Sequence, residues 1–163
     1  MNELRDREFD FSSKLRQESI IKRLREYILW QRNSRHRRPP HFGPISINLD
    51  LTSACNFSCP HCVDSKIINA GEYLSLDDIK PTIRVLHSHG LFSVILLGGG
   101  EPTLHRDFEE IVRYIKSSEL ELGIVTNGSR LDKVAKVTEL LGEKDWIRIS
   151  IDAAKEDTFR KLH

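Results

Sequence analysis

The chain has 163 residues, a formal net charge of +1, 39% hydrophobic and 30% charged residues, and three cysteines. That length suits one domain with a real core, and so even a charge balance excludes a surface built throughout to hold nucleic acid or anionic lipid. No apolar run approaches the roughly 20 residues needed to span a bilayer, and the N-terminal MNELRDREFDFSSKLRQE is too charged for a secretory leader, so a cytoplasmic protein with no membrane partner is expected.

Residues 14–31 predict an amphipathic helix, with Ile20, Ile21, Leu24, Tyr27 and Ile28 at helical spacing. RNSRHRRPPHFGP follows, where Arg32, Arg35, Arg37 and Arg38 crowd before Pro39 and Pro40. It reads as a linker, making residues 1–44 an N-terminal extension and 45–163 the main domain. A solvated helix end accounts for the basic cluster; contact with phosphate or an acidic partner is the alternative. Ile45–Leu51 alternates with period two, as a strand does, and CNFSCPHC (55–62) leaves it directly. Ser75 as N-cap with Asp78 three residues on opens a helix ending near Gly90, with a kink expected at Pro81. Ser93–Leu97 is a short apolar strand of the kind buried on both faces. It runs into GGGEPT and then a helix carrying Phe108, Ile111, Val112 and Ile115 on one stripe. Gly123–Thr126 is the next strand, NGS its turn, and Leu131–Leu141 the next helix. Trp146–Ile151 is the fourth strand, and Asp157–His163 begins a further helix.

Strand and helix thus alternate four times, with connections too long for hairpins. An α/β fold follows, of parallel strands with right-handed crossovers and helices on the outer face. The chain stops inside a helix without a cap, and a longer protein is expected. In the first strand Ser46, Asn48, Asp50 and Thr52 alternate with apolar residues; in the fourth, Arg148, Ser150 and Asp152 do so. If helices cover the apolar faces, these polar ones line a cavity or, for Ser46, an open sheet edge.

Cys55, Cys59 and Cys62 are all the cysteines present, spaced C-x3-C-x2-C on the loop leaving the first strand. Soft thiolates select zinc or an iron–sulfur cluster. Structural zinc wants four ligands, usually as two separated pairs. Here there is one tight group of three, and His61 is awkwardly adjacent to Cys62. A four-iron cubane can be held by three cysteines of one loop, leaving one iron for a small molecule.

These cysteines, followed by Gly99, Gly100, Glu101 and Pro102 after the second strand, resemble the radical S-adenosylmethionine (radical SAM) superfamily over residues 45–163. The resemblance implies an incomplete parallel β/α barrel of about four units behind the N-terminal helical extension. It implies that Cys55, Cys59 and Cys62 hold a 4Fe-4S cluster, whose open iron chelates S-adenosylmethionine and whose electron cleaves it to a 5′-deoxyadenosyl radical. The backbone of Gly99–Pro102 would engage the methionine amino group. Thr126 and Asn127 would contact the ligand's polar groups, and Ser150 and Asp152 its ribose or carboxylate. His61 stands where the family commonly has an aromatic residue near adenine. Asn127 is also a turn former and Asp152 a helix cap. Arg160 is the only arginine on the last helix for the methionine carboxylate; His87, His89 and His105 read as surface residues. An electron donor of flavodoxin or ferredoxin type is implied. The motif wording resembles peptide-modifying and molybdenum-cofactor-type enzymes, and favours a peptide or protein substrate. The alternatives are a non-catalytic zinc or iron–sulfur module, and an RNA modifier guided by the arginine cluster; nucleic acid is otherwise not an expected partner.

Overall fold

The computed structural model describes residues 18–33 and 42–163. The expected helix start at 14–17, Arg35, Arg37, Arg38 and the Pro39–Pro40 pair lie outside the described residues. Among the described residues four strands, β1 (Ser46–Asp50), β2 (Ser93–Leu97), β3 (Glu121–Thr126) and β4 (Trp146–Ile149), pair all-parallel in the order β1-β2-β3-β4. Helix α1 (Glu18–Asn33) precedes them, α2 (Leu76–Ser88), α3 (Phe108–Ser117) and α4 (Leu131–Ala135) connect them, and α5 (Glu156–Leu162) follows. Among the described residues the sheet is open at β1 and β4, so the expected partial barrel wall is what forms.

Register decides which face carries what. Ile47 pairs with Val94 and Leu49 with Leu96, while Val94 pairs with Leu122 and Leu96 with Ile124. Partners in a parallel ladder share a face, so these side chains form one apolar layer. Phe108, Ile111, Val112 and Ile115 of α3, with Ile79 and Ile83 of α2, bury themselves against it. Ser75 accepts a hydrogen bond from the Asp78 amide and caps α2, which runs through Pro81 to Ser88. The opposite face is polar along β1, where Ser46, Asn48 and Asp50 are exposed and Ser93 Oγ donates to Ser46 Oγ at 2.8 Å. On that face Gly123 leaves room for the Trp146 indole, which an added Cβ would meet at 2.4 Å.

Three expectations need correction. Residues 131–141 do not form one helix: α4 ends at Ala135 and a 3-10 turn, Thr138–Leu140, follows. The tighter i to i−3 bonds Val137 N→Val134 O and Leu140 N→Val137 O turn Val137 fully into the core, which outweighs helix continuity. Strand β4 stops at Ile149, short of the expected Ile151, which is 69% exposed and gains no packing from continuing the strand. Strand β3 begins at Glu121, two residues before the expected Gly123; in α1, Ile20 is buried and Arg23 Nη2 donates to His89 O at 3.1 Å, whereas Tyr27 and Ile28 are exposed.

Candidate cluster-binding site

Where parallel strands end, the ladder's backbone groups lose their partners and the loops must supply others. The cysteine loop leaves β1 at that edge and is held from several sides. Behind it, Ser53 N donates to Glu72 O (2.9 Å) and Asn69 N to Ser53 O (2.6 Å). Asn69 Oδ1 accepts from Cys55 N at 2.9 Å, fixing the first cysteine. Tight turns link Cys62 N to Cys59 O (3.0 Å) and Ser65 N to Cys62 O (3.3 Å). All three cysteines are free and half-buried. Burial is the main cause that raises the Cys59 thiol pKa, and Asp152, Cys55 and Cys62 add to it through their charge.

The glycine turn after β2 lies directly on this loop. Glu101 N donates to Ala54 O at 2.8 Å, and a Cβ on Gly100 would come within 2.2 Å of that same carbonyl. Gly99 has φ +69°, in the region that favours glycine. The two sequence motifs are therefore one surface, joined backbone to backbone. Gly100→Ala is expected to push the loops apart, costing about 1–3 kcal/mol by urea unfolding and lowering iron uptake per chain.

Glu101 is 3% exposed. Its Oε1 accepts from Thr103 N (3.1 Å), Thr103 Oγ1 (2.5 Å) and Thr126 Oγ1 (2.7 Å), and its Oε2 from Asn127 N (2.7 Å). Sequence reasoning placed Glu101, Thr126 and Asn127 in one site, and the structure does bring them together. It uses their polar groups on each other: Thr126 Oγ1 also accepts from Gly128 N, and Asn127 Oδ1 accepts from Ser129 N in a turn. Asn127 Nδ2 and Ser129 Oγ both donate to Asn56 Oδ1, at 3.0 and 3.2 Å, so the β3 turn braces the cysteine loop. Pro102 begins the 3-10 turn that follows Glu101.

Across the loop, Ser150 N donates to Thr126 O at 2.8 Å and carries the chain past β4 to Asp152. Asp152 Oδ2 lies 3.3 Å from His61 Nε2 and 3.4 Å from His163 Nε2. His163 Nδ1 lies 3.0 Å from Cys59 Sγ, and its ring packs on Phe57 and Phe159. Arg160 instead makes an exposed pair with Glu156, 2.6 Å away.

Sequence reasoning missed several contributors. Asn56 and Asn69 act through side-chain amides that no spacing rule marks. Asp64 is another: its Oδ2 lies 3.5 Å from where a Gly98 Cβ would be, and near it, at 3.7 Å, lies Oδ1 of Asp50, which the alternation of β1 had put on the polar face. Burial, then the Asp64 charge, raises the Asp50 pKa. His87 and His89 are exposed as expected, but His105 is buried and that expectation is corrected. Its Nδ1 accepts from Asp107 N (3.1 Å), so its Nε2–H donates to Leu74 O (2.9 Å) and ties the strap behind the cysteine loop. A neutral ring satisfies both bonds, and burial is the main cause that lowers its pKa from the ordinary 6.5. The unfolded chain then binds more protons than the native one, so stability falls as pH drops below about 6.5. Urea midpoints across about pH 5–8 should show this acid-side loss, and His105→Gln should flatten it.

The sequence matches the model of the Radical SAM superfamily over residues 49–163. It is 36% identical over 117 residues to the S-adenosylmethionine-dependent nucleotide dehydratase of Selenomonas ruminantium, covering 71% of this chain and 42% of that protein. It is 40% identical over 117 residues to a probable GTP 3′,8-cyclase of Saccharolobus solfataricus, covering 71% and 37%. The chain thus spans about two fifths of the length of these relatives. Its fold is similar to Streptococcus suis SuiB bound to the precursor peptide SuiA, with TM-score 0.64 and 18% identity over 88% of this chain and 31% of that one.

Proposed function

The chain belongs to the Radical SAM superfamily, whose cofactors are S-adenosylmethionine and a 4Fe-4S cluster, and from that premise we propose that Cys55, Cys59 and Cys62 hold the cluster of an enzyme that abstracts hydrogen atoms. The donor set fits. Three soft thiols on one loop, with no further cysteine in the chain, suit a cubane with one iron left to the ligand. Held by Cys55, Cys59 and Cys62, the cluster would supply the one-electron reduction that cleaves S-adenosylmethionine to methionine and a 5′-deoxyadenosyl radical, which would take a hydrogen atom from the substrate. An electron donor of flavodoxin or ferredoxin type restores the electron.

This chain's own residues bind and orient. The Gly99–Pro102 backbone receives the methionine ammonium, where missing Cβ atoms allow close approach. Glu101 fixes that backbone relative to β3 through Thr126 and Asn127, which act here as positioning residues. Ser150 and Asp152 reach the ligand's ribose or carboxylate from the β4 side, and His61 flanks the adenine. The observation that carries the reading is the contact of Gly100 on Ala54, which makes cysteine loop and glycine turn a single site.

For the substrate we favour a nucleotide or nucleotide-derived cofactor precursor. The names of two relatives support it, at about twice the identity of the peptide-bound fold neighbour. A peptide is the second reading, supported by the likeness to SuiB with its precursor peptide. The test is anaerobic reconstitution with iron and sulfide, reduction, and EPR with and without S-adenosylmethionine. A reduced-cluster signal that shifts on adding the ligand is expected; no uptake of iron and sulfide by a chain never exposed to zinc overturns the proposal. Formation of 5′-deoxyadenosine, stimulated by nucleoside triphosphates or by peptides, then separates the two substrate classes.

A further inference from the structure

The donors around Cys59 do not stop at the three thiols. Cys59 Sγ, His61 Nε2 and Asp152 Oδ2 all lie within 4.8 Å of one another. His163 flanks this set, its Nδ1 on Cys59 Sγ and its Nε2 3.4 Å from the same Asp152 oxygen. That Nε2 is buried, on a side chain only 5% exposed, and has no hydrogen-bond partner among the described residues. The His61 and Asp152 side chains are 53% and 34% exposed, which leaves an ion a way in. A tetrahedral zinc sets nitrogen and oxygen ligands about 3.3 Å apart and a sulfur about 3.6 Å from either. The His61–Asp152 separation of 3.3 Å equals that edge.

We infer that the cluster-free chain binds one zinc ion through Cys59 Sγ, His61 Nε2 and Asp152 Oδ2, with water as the fourth ligand and His163 packed against Cys59 and Asp152, and that zinc there and cluster assembly exclude each other. The ligand types suit a borderline-soft, four-coordinate ion, and binding releases the Cys59 thiol proton. Site and cluster share one residue, Cys59, so a chain that loads zinc first lacks the thiolate that assembly needs. Cys55 and Cys62 have no part in the zinc site. The exclusion clause rests on the cluster reading of the cysteines; the zinc site does not.

The cluster-free chain is titrated anaerobically with Co2+ as a zinc probe, followed by zinc displacement, and zinc content is measured after gel filtration. One equivalent is expected, with the visible d–d bands of a tetrahedral ion and thiolate-to-cobalt charge transfer. Cys59→Ser should abolish both features. His61→Ala and Asp152→Asn should each weaken binding about tenfold or more, yet keep normal iron and sulfide content on reconstitution. Cys55→Ser and Cys62→Ser should keep the cobalt spectrum and lose the iron. Pre-loaded zinc should suppress iron uptake in the wild-type chain. No metal uptake, or uptake that depends on Cys55 and Cys62 as strongly as on Cys59, overturns the zinc site. Simultaneous full loading with zinc and iron overturns the exclusion. Failure of the cluster reading shows separately, as absent iron in the wild-type chain never exposed to zinc.

Discussion

Cys59→Ala is expected to leave a folded chain that neither retains iron and sulfide nor cleaves S-adenosylmethionine above the protein-free background. Cys59 is half-buried on a loop, so replacing it removes little packing, and melting should shift by no more than about 2–4 °C, the equivalent of about 1 kcal/mol. A cubane held by two thiolates has lost a third of its protein ligands, and no other cysteine can substitute. Iron and sulfide analysis, EPR and chromatography of 5′-deoxyadenosine check the outcome together. Cleavage at wild-type rate in this variant refutes the assignment of the three cysteines.

Glu101→Ala carries the largest expected effect on folding. The carboxylate takes four hydrogen bonds from Thr103, Thr126 and Asn127 in a buried setting. Its removal strands their donors, at a cost of about 1–3 kcal/mol for each one left unpaired. A total near 3 kcal/mol is expected after relaxation, seen as a melting temperature lower by about 6–12 °C. Glu101→Gln keeps the shape but turns an amide toward donors, so it should recover only part of the loss. An effect below about 0.5 kcal/mol would show that water replaces the carboxylate freely. Affinity for S-adenosylmethionine should fall in both variants, because the turn's carbonyls lose their anchor to β3.

The order of the strands, the bounds of β2, α2, α3 and the cysteine–glycine pairing were legible because each rests on a local signal. Period two marks β1, the Ser75–Asp78 cap marks α2, and one stripe marks α3. The membership of Glu101, Thr126 and Asn127 in one site was legible too, but not their roles. A carboxylate after a glycine turn looks the same whether it meets ligand or neighbouring strand, and only register decides. The break in 131–141 was hidden because Val134, Val137 and Leu140 also fit helical spacing; the core's pull on Val137 is a tertiary effect. His105 was misplaced for a similar reason. Nothing near it in sequence announces Leu74, whose carbonyl it satisfies across 31 residues. Asn56 and Asn69 belong with it: single polar residues whose partners lie on other elements.

The sheet's neighbour order has a consequence for the timing of synthesis. Each strand pairs only with the strands next to it in the chain, so the wall can be laid down in one direction as the polypeptide emerges. The thiols are translated early, just after β1, but their brace arrives late, since Glu101, Asn56 and the β3 turn close together only once Thr126 and Asn127 have left the ribosome. Until that moment Cys55, Cys59 and Cys62 emerge without the frame that the folded chain gives them.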